Sequence, residues 1–163
     1  MTVKHLRIDN RLVHGQVTVA WVSYIGVDHI VVANDEVAQD ELQRLLLPQA
    51  ARGVRTSVLS VADAAKHCLS PEAEGENIMI LAKWCSDALE VIEAGVRPQV
   101  VNVGNQAPKP GTKFTMVTRS ISVTPEDAVA YRKMAALTGS LTSQMMPKDK
   151  PVDFLKLMEK KKI

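Results

Sequence analysis

A short run near the N-terminus combines the side chains needed to hold a phosphoryl group. His14 follows Asp9 and Arg11 in this run, and Arg7 precedes all three. An imidazole is a nucleophile near neutral pH and can carry a group covalently. Guanidinium groups bind tetrahedral oxyanions through paired, charge-assisted hydrogen bonds. These residue types therefore predict a phosphoryl group on or beside His14.

The residues around His14 divide into oxyanion binders and orienting groups. Arg11 is expected to bind the phosphoryl oxygens, and Arg7 is a second candidate unless strand alternation directs it elsewhere. Asp9 carries a negative charge, so it is expected to orient His14 or Arg11 by hydrogen bonding. A helix beginning near Gly15 would add backbone donors and the positive end of its dipole. The amides expected to donate are those of Gly15, Gln16 and Val17.

The same run resembles a known loop. Its letters, Arg-Ile-Asp-x-Arg-Leu-x-His-Gly-Gln-Val, are similar to the phosphorylation loop of IIB subunits in the mannose–fructose–sorbose class of the bacterial phosphoenolpyruvate-dependent sugar phosphotransferase system. Asn-Asp-Glu at 34–36 and Asn-Val-Gly-Asn at 102–105 extend the resemblance over nearly the whole chain. Asn10 stands where the family often has an acidic residue. The change removes one negative charge beside the phosphate and makes Asn10 a further phosphate-binding candidate.

The resemblance implies a phosphocarrier enzyme, a protein-phosphohistidine–sugar phosphotransferase. It would accept a phosphoryl group from a IIA protein on Nδ1 of His14 and pass it to a sugar entering through the membrane IIC and IID subunits. The chain is expected to be a free-standing IIB protein in the cytoplasm that associates peripherally with its permease. The sugar, the docking surfaces and the oligomeric state, homo-oligomer included, stay open.

Composition supports an ordinary globular domain. The 163 residues are 46% hydrophobic and 23% charged, and they predict one domain over 1–163 with a sizeable core. A formal charge of +2 gives no strong field for nucleic acid, and no nucleic-acid partner is expected. No apolar run approaches membrane-spanning length, and the first six residues lack a signal-peptide core. Cys68 and Cys85 are expected to be reduced, partly buried thiols.

Short β-branched runs alternate with helical patterns along the chain. These runs follow four glycines, which suit the left-handed position after a helix: Gly26, Gly53, Gly95 and Gly139. Apolar stripes predict the buried faces of three helices, at Val17, Ala20, Trp21 and Tyr24, at Ala38, Leu42, Leu45 and Leu46, and at Ala88, Val91 and Ile92. Thr124 and Ser60 read as N-caps. The alternation predicts an α/β fold, an open doubly wound, mostly parallel sheet with helices on both faces.

Two segments depart from the alternation. Residues 105–123 predict an irregular loop and two short strands, at 113–117 and 119–123, with a candidate antiparallel edge. Residues 147–151 predict a polar linker into a last helix that carries Phe154, Leu157 and Met158. Asn102 to Asn105 is most simply a turn at a strand end, with phosphate binding as the less favoured reading.

Topology adds candidates for a cleft around His14. Ligands of open α/β sheets bind outside the carboxyl ends of the strands, where the loop carrying His14 is expected. The other expected loops at this edge carry Asn34, Asp35, Lys83 and Trp84. For Trp21 and Trp84 we favour a core or rim position over stacking on sugar. His5, His29 and His67 are expected to be structural or exposed.

Other functional classes remain open at this point. Asp9 and Asp35 could form an acidic cation pair, but the adjacent arginines argue against it, and no histidine–carboxylate spacing indicates zinc. No glycine fingerprint indicates a nucleotide cofactor, and none is expected. A doubly wound binding protein that holds an anion reversibly is the main alternative, and it would tolerate loss of His14. A phosphatase or mutase would need a second acid–base residue, for which only Asp9 is near in sequence.

Overall fold

Strands and helices alternate along the chain in a computed structural model that describes residues 3–163. Met1 and Thr2, which the predicted domain 1–163 includes, lie outside the described residues. The strands are β1 Val3–Asp9, β2 His29–Ala33, β3 Arg55–Leu59, β4 Ile78–Ala82, β5 Val101–Asn105, β6 Thr115–Thr118, β7 Ile121–Val123, β8 Thr142–Ser143 and β9 Val152–Asp153. The helices are α1 Gly15–Ile25, α2 Asp35–Gln39, α3 Glu41–Ala50, α4 Val61–Leu69, α5 Cys85–Glu93, α6 Pro125–Thr138 and α7 Phe154–Lys160, with a 3₁₀ turn at Pro71–Ala73.

The main sheet has the order β3-β2-β4-β1-β5-β8-β9. Its strands run parallel except for β9, which pairs antiparallel with β8. Helices cover both faces, so the predicted doubly wound α/β fold is confirmed. No helix among residues 3–163 is long and apolar enough to cross a bilayer.

The two faces of the sheet carry separate cores. One core packs α1, α2 and α3 against Ile30, Val32, Met79 and Leu81. The other packs α4, α5, α6 and α7 against the opposite side of the same strands. The chain leaving β1 therefore turns to the first face, whereas the chain leaving its neighbour β4 turns to the second. The carboxyl end of β1 is therefore a topological switch point, the place where ligands of open α/β sheets bind.

Local signals in the sequence produced the helix ends they predicted. Thr124 accepts a hydrogen bond from the backbone N–H of Asp127, and the Asp127 carboxylate accepts one back from Thr124 N–H, which forms a capping box before α6. Ser60 caps α4 in the same way through the N–H of Asp63. Gly26 ends α1 with φ +77, a conformation that a Cβ would strain.

The second predicted stripe is wrong. Asp40 accepts hydrogen bonds from the N–H groups of Leu42 and Gln43 and starts a new helix. Residues 35–50 therefore form two helices, and the apolar pattern of the first does not continue in phase into the second. Leu47 becomes the buried residue of α3, and three predicted core residues are exposed: Leu42, Leu45 and Leu46. Tyr24, predicted to lie on the buried face of α1, is 70% exposed.

The segment from 105 to 123 forms the two predicted strands but not the edge of the main sheet. β6 and β7 pair antiparallel in a separate two-stranded sheet. The antiparallel edge of the main sheet is instead β9. The Asn102–Asn105 motif lies inside β5, so the prediction of a strand-end turn is wrong; the glycine at 104 serves a close contact described below.

Candidate functional site

Strand β1 carries a buried polar stripe on one face. Leu6 and Ile8 point into the core of the second face, whereas His5, Arg7 and Asp9 alternate with them on the other side. These three polar residues are 3%, 1% and 0% exposed, respectively. Because a buried charge is stable only when paired, the stripe must be matched by partners from other elements.

Asp9 is the centre of the charged cluster. Its carboxylate accepts hydrogen bonds from Nε of Arg11 to Oδ1 over 3.1 Å and from Nη2 to Oδ2 over 3.0 Å. The backbone N–H of Arg11 also donates to Oδ1, over 3.0 Å. Arg7 Nε lies 3.4 Å from Oδ2. Both carboxylate oxygens therefore hold guanidinium groups, and the predicted orienting role of Asp9 has a geometric basis.

The Nη atoms of Arg7 donate hydrogen bonds to other residues of the protein. Nη1 donates to Oδ1 of Asn102 over 2.6 Å and to the carbonyl of Gln144 over 2.9 Å, and Nη2 donates to the carbonyl of Met145 over 3.1 Å. The guanidinium also lies 5.3 Å from the centre of the Trp21 ring. Burial lowers its pKa to about 10 against the opposing charge of Asp9, so it stays charged at neutral pH.

Two neighbours make room for Arg7 and fix it there. A Cβ built on Gly104 would overlap the guanidinium, so only glycine lets β5 pass this close. Trp21 Nε1 donates over 3.0 Å to the same Met145 carbonyl that accepts from Arg7. Trp21 is thus a core residue, as favoured from sequence. Asn102, Gln144 and Met145 were not predicted as support residues, because they lie 95 to 138 positions from Arg7.

His14 stands between this cluster and the start of α1. Its side chain is 26% exposed, and Nε2 lies 4.0 Å from Oδ2 of Asp9. Nδ1 is 2.8 Å from the carbonyl oxygen of Leu12. A carbonyl only accepts, so Nδ1 carries the proton of the neutral ring and Nε2 keeps the lone pair. Within residues 3–163, Nε2 is buried and has no hydrogen-bond partner.

The backbone around His14 is shaped by two positive φ angles. Leu12 has φ +60, uncommon for a non-glycine residue, and this turn aims its carbonyl at the His14 ring. Gly15 has φ +47 in open space. Within the described chain the N-cap residue His14 makes no side-chain cap hydrogen bond, although its own N–H donates to Oγ1 of Thr18 over 3.0 Å, and Gly15 and Gln16 are exposed. The first amides of this 11-residue helix are therefore free to meet an oxyanion.

Asn10 fastens the His14 loop to the neighbouring strand. Its Oδ1 accepts hydrogen bonds from Nδ2 of Asn105 over 2.7 Å and from the N–H of Ala107 over 2.9 Å. Val17, a further phosphate-binding candidate through its amide, lies in the first turn of α1 with a half-buried side chain. Asn10 thus acts as a strap between β1 and β5 in this structure.

The four cleft candidates form a second group at the same edge of the sheet. Asn34 caps α2 through the N–H of Val37 and donates to Asp87, which also accepts from the N–H of Trp84. Burial raises the pKa of Asp87. Asp35 accepts from the N–H of Val61, which begins α4. These contacts are structural, and within residues 3–163 no hydrogen bond or ion pair joins this group to His14.

A positive rim borders that second group. Trp84 is half-buried, and Nζ of Lys109 lies 4.3 Å from the centre of its ring, with Nζ of Lys83 at 5.8 Å. Such contacts stabilise a cation over an aromatic face. Because β4 neighbours β1, Lys83 and Trp84 leave the sheet beside the His14 loop. Trp84 is therefore a rim residue, as favoured from sequence.

The chain and its fold both have close counterparts among known proteins. The family model described as "PTS system sorbose subfamily IIB component" matches residues 3–163. This chain belongs to that IIB family. The fructose-specific EIIB component of Bacillus subtilis is 35% identical over 163 residues, covering 97% of this chain and 96% of the relative. The crystal structure of the IIBSor domain of the sorbose permease from Klebsiella pneumoniae superimposes with a TM-score of 0.91 at 32% identity, covering 98% of each chain.

A third relative shows the domain in a larger protein. The mannose-specific EIIAB component of Escherichia coli K12 is 34% identical over 161 residues, covering 98% of this chain and 49% of that protein. The IIB family is thus found joined to a IIA part in that relative. As a IIB component of the phosphotransferase system, this chain is a phosphotransferase of the sorbose, fructose and mannose class, and the resemblance drawn from the 7–17 run is confirmed.

Proposed function

We propose that this IIB component accepts a phosphoryl group on His14 from a phosphorylated IIA partner and transfers it to a sugar during uptake through IIC and IID subunits. The proposal rests on one arrangement of side chains around the start of α1. A part-exposed His14 lies at the uncapped N-terminus of α1, beside an arginine that a buried carboxylate holds in place. Family membership supplies the reaction class.

The two transfers balance without a cofactor. In the first, the N–P bond on the IIA histidine breaks and an N–P bond to His14 forms. In the second, a sugar hydroxyl attacks phosphorus, the bond to His14 breaks, and the hydroxyl proton is taken up by the imidazole. Such transfers depend on positioning and charge stabilisation more than on covalent help from the protein.

Arg11 is the proposed phosphate ligand. Its side chain is 37% exposed, and the two hydrogen bonds to Asp9 fix the guanidinium plane. Within the described residues its Nη1 makes no hydrogen bond, so this nitrogen is free to bind a phosphoryl oxygen. The amides of Gly15, Gln16 and Val17 are proposed as additional donors. Arg7 and Asn10, which are engaged internally, act through Asp9 and the loop rather than on the phosphate.

Modification on Nδ1 requires the His14 ring to move. Nδ1 is hydrogen-bonded to the Leu12 carbonyl, and Nε2 is enclosed beside the negative charge of Asp9. A phosphoryl group at Nε2 would meet that charge, whereas Nδ1 is released for reaction once the ring rotates away from the Leu12 carbonyl. We therefore propose Nδ1 as the acceptor: the Leu12 hydrogen bond breaks, the Nδ1 proton leaves, and the neutral ring carries its proton on Nε2 beside Asp9, so that the Nδ1 lone pair can attack phosphorus.

The partners proposed here need a shallow, accessible site. The relative that joins IIA and IIB in one protein supports a IIA partner, and the exposed loop allows a second encounter at the membrane subunits. We propose that the protein acts in the cytoplasm and associates peripherally with its permease. Both contacts are expected to be transient and of small area.

Intact-mass analysis after incubation with phosphoenolpyruvate, enzyme I, HPr and a cognate IIA tests the proposal. The expected result is one acid-labile phosphoryl group on wild type, none on His14→Ala, and an unchanged gain on the matched control His67→Gln. Long-range ¹⁵N NMR of the product then assigns Nδ1 or Nε2. Failure to modify wild type, while IIA itself is phosphorylated, would support the reversible anion-binding alternative.

A further inference from the structure

Three potential metal ligands converge at the amino edge of the sheet, opposite to His14. Nδ1 of His29 and Nε2 of His67 both approach Oε2 of Glu76, at 2.9 and 3.0 Å. The three ligand atoms lie within 4.8 Å of one another. His29 begins β2, His67 lies in the last turn of α4, and Glu76 precedes β4, so the group joins three separate elements.

We propose that His29, His67 and Glu76 form a binding site for a divalent transition metal such as zinc. Two imidazole nitrogens and one carboxylate oxygen are a recurrent ligand set for zinc, and a water completes a tetrahedral site. With ligand distances of about 2.0–2.2 Å, neighbouring ligand atoms stand roughly 3.3 Å apart. The two nitrogen–oxygen separations, 2.9 and 3.0 Å, need to widen by only a few tenths of an ångström, and the two nitrogens, which lie within 4.8 Å of each other, need to reach a similar spacing.

The surroundings already orient the ligands. Ser57 Oγ lies 2.8 Å from Nε2 of His29, and a hydroxyl can donate or accept. When Nδ1 gives its lone pair to a metal, the ring proton moves to Nε2 and donates to Ser57, as the outer partner of a ligating histidine does. Arg55 Nη1 occupies the other oxygen of Glu76, Oε1, over 2.8 Å, which leaves Oε2 for the metal.

Charge sets the metal class and the strength of binding. Two neutral imidazoles and one carboxylate carry one negative charge, and the Arg55 guanidinium at Glu76 offsets it. Affinity is therefore expected to be moderate and selective for zinc or nickel over magnesium, which prefers oxygen ligands. No local spacing in the sequence indicates this site, because His29 and Glu76 are 47 positions apart and belong to different elements.

Isothermal titration of tag-free, metal-stripped protein with zinc chloride tests this site. Wild type is expected to bind one zinc, with no saturable binding of magnesium. His67→Gln and Glu76→Gln should each weaken binding at least about tenfold, whereas His14→Gln, which removes a histidine at the opposite edge, should not. Equal affinity in His67→Gln, or no saturable zinc binding by wild type, overturns the proposal and leaves a hydrogen-bonded cluster only.

A second measurement needs no variant. Side-chain ¹⁵N spectra of wild type should show zinc-induced shifts at Nδ1 of His29 and Nε2 of His67, with the His5 and His14 signals unmoved. Shifts confined to other histidines would contradict the assignment even if a variant failed to fold. The test is independent of the phosphoryl relay, because phosphorylation of His14 is measured separately.

Discussion

Asp9 and Arg11 are joined by two side-chain hydrogen bonds, from Nε to Oδ1 over 3.1 Å and from Nη2 to Oδ2 over 3.0 Å. The carboxylate is completely buried, while the arginine is 37% exposed. The buried carboxylate therefore fixes the orientation of the part-exposed guanidinium, and Nη1 of Arg11 makes no hydrogen bond within the described residues.

Replacement of Arg11 by lysine is expected to slow phosphoryl transfer about 100-fold, because a single ammonium cannot hold Asp9 and a phosphoryl oxygen in one plane. The free energy of unfolding should change by less than about 1 kcal/mol, since the side chain is part-exposed. Quench-flow with phosphorylated IIA measures the rate, and Arg44→Lys on the exposed side of α3 is the matched control. A rate within threefold of wild type would remove Arg11 from the mechanism.

Asp9→Asn keeps the shape of the side chain but removes the charge that holds two arginines. Because buried Arg7 then lacks its counter-charge, we expect a loss of about 3 kcal/mol in the free energy of unfolding. Transfer to His14 should also slow at least about tenfold, as Arg11 loses its fixed orientation. Urea unfolding and the same rate assay check both effects. The exposed carboxylate variant Asp63→Asn should change neither, and a stable but slow Asp9→Asn would separate orientation from folding.

Gly104→Ala is expected to destabilise the protein by about 3 kcal/mol or more. The new methyl group overlaps the Arg7 guanidinium, which must leave its partners Asn102 and Met145. Gly75→Ala is the matched control, with φ +86 but open space around the added carbon, and it should cost only about 1–2 kcal/mol. Chemical denaturation compares the two. Equal costs would show that the close approach at β5 is not a constraint.

His5 should make stability sensitive to mild acid. Burial, aided by the charge of Arg7, lowers the pKa of His5 to about 3. Between about pH 6.5 and pH 3, His5 is therefore protonated in the unfolded chain but neutral in the folded protein. Stability from this group is therefore full above about pH 6.5 and falls towards pH 3, by up to about 1.4 kcal/mol per pH unit. His5→Phe keeps the stacking on Trp21, whose ring centre lies 4.7 Å away, and should flatten the slope. Denaturation curves from pH 7 to 4 measure it.

Other groups contribute to the same acid profile. Burial also lowers the pKa of His29, and Glu76 has a pKa near 2 because hydrogen bonds from His29 and His67 outweigh its desolvation. The Glu76 contribution is lost only below about pH 4.5. An unchanged slope in His5→Phe between pH 6.5 and 4.5 would therefore assign the sensitivity elsewhere. Tyr24→Phe, an exposed aromatic exchange, should match wild type.

Features set by neighbouring residues could be predicted from the sequence, whereas contacts between residues far apart in the chain could not. The start of α1 at Gly15, the cap at Thr124 and the alternation of strands and helices all follow from neighbouring residues. The exposed leucines of α3 were missed because Asp40 restarts the helix and shifts its periodicity. No local pattern could predict that Arg7 would meet carbonyls at 144 and 145, since chain folding alone brings them together.

The anchoring of Arg7 also has a temporal consequence. Its acceptors at Asn102, Gln144 and Met145 are synthesised long after the His14 loop itself. A nascent chain that has exposed its first hundred residues thus displays the loop without the contacts that fix it. The contacts that hold Arg7 beside Asp9 are completed only when β5 and the segment before β9 have emerged from the ribosome and closed over β1, which couples assembly of this cluster to completion of the fold.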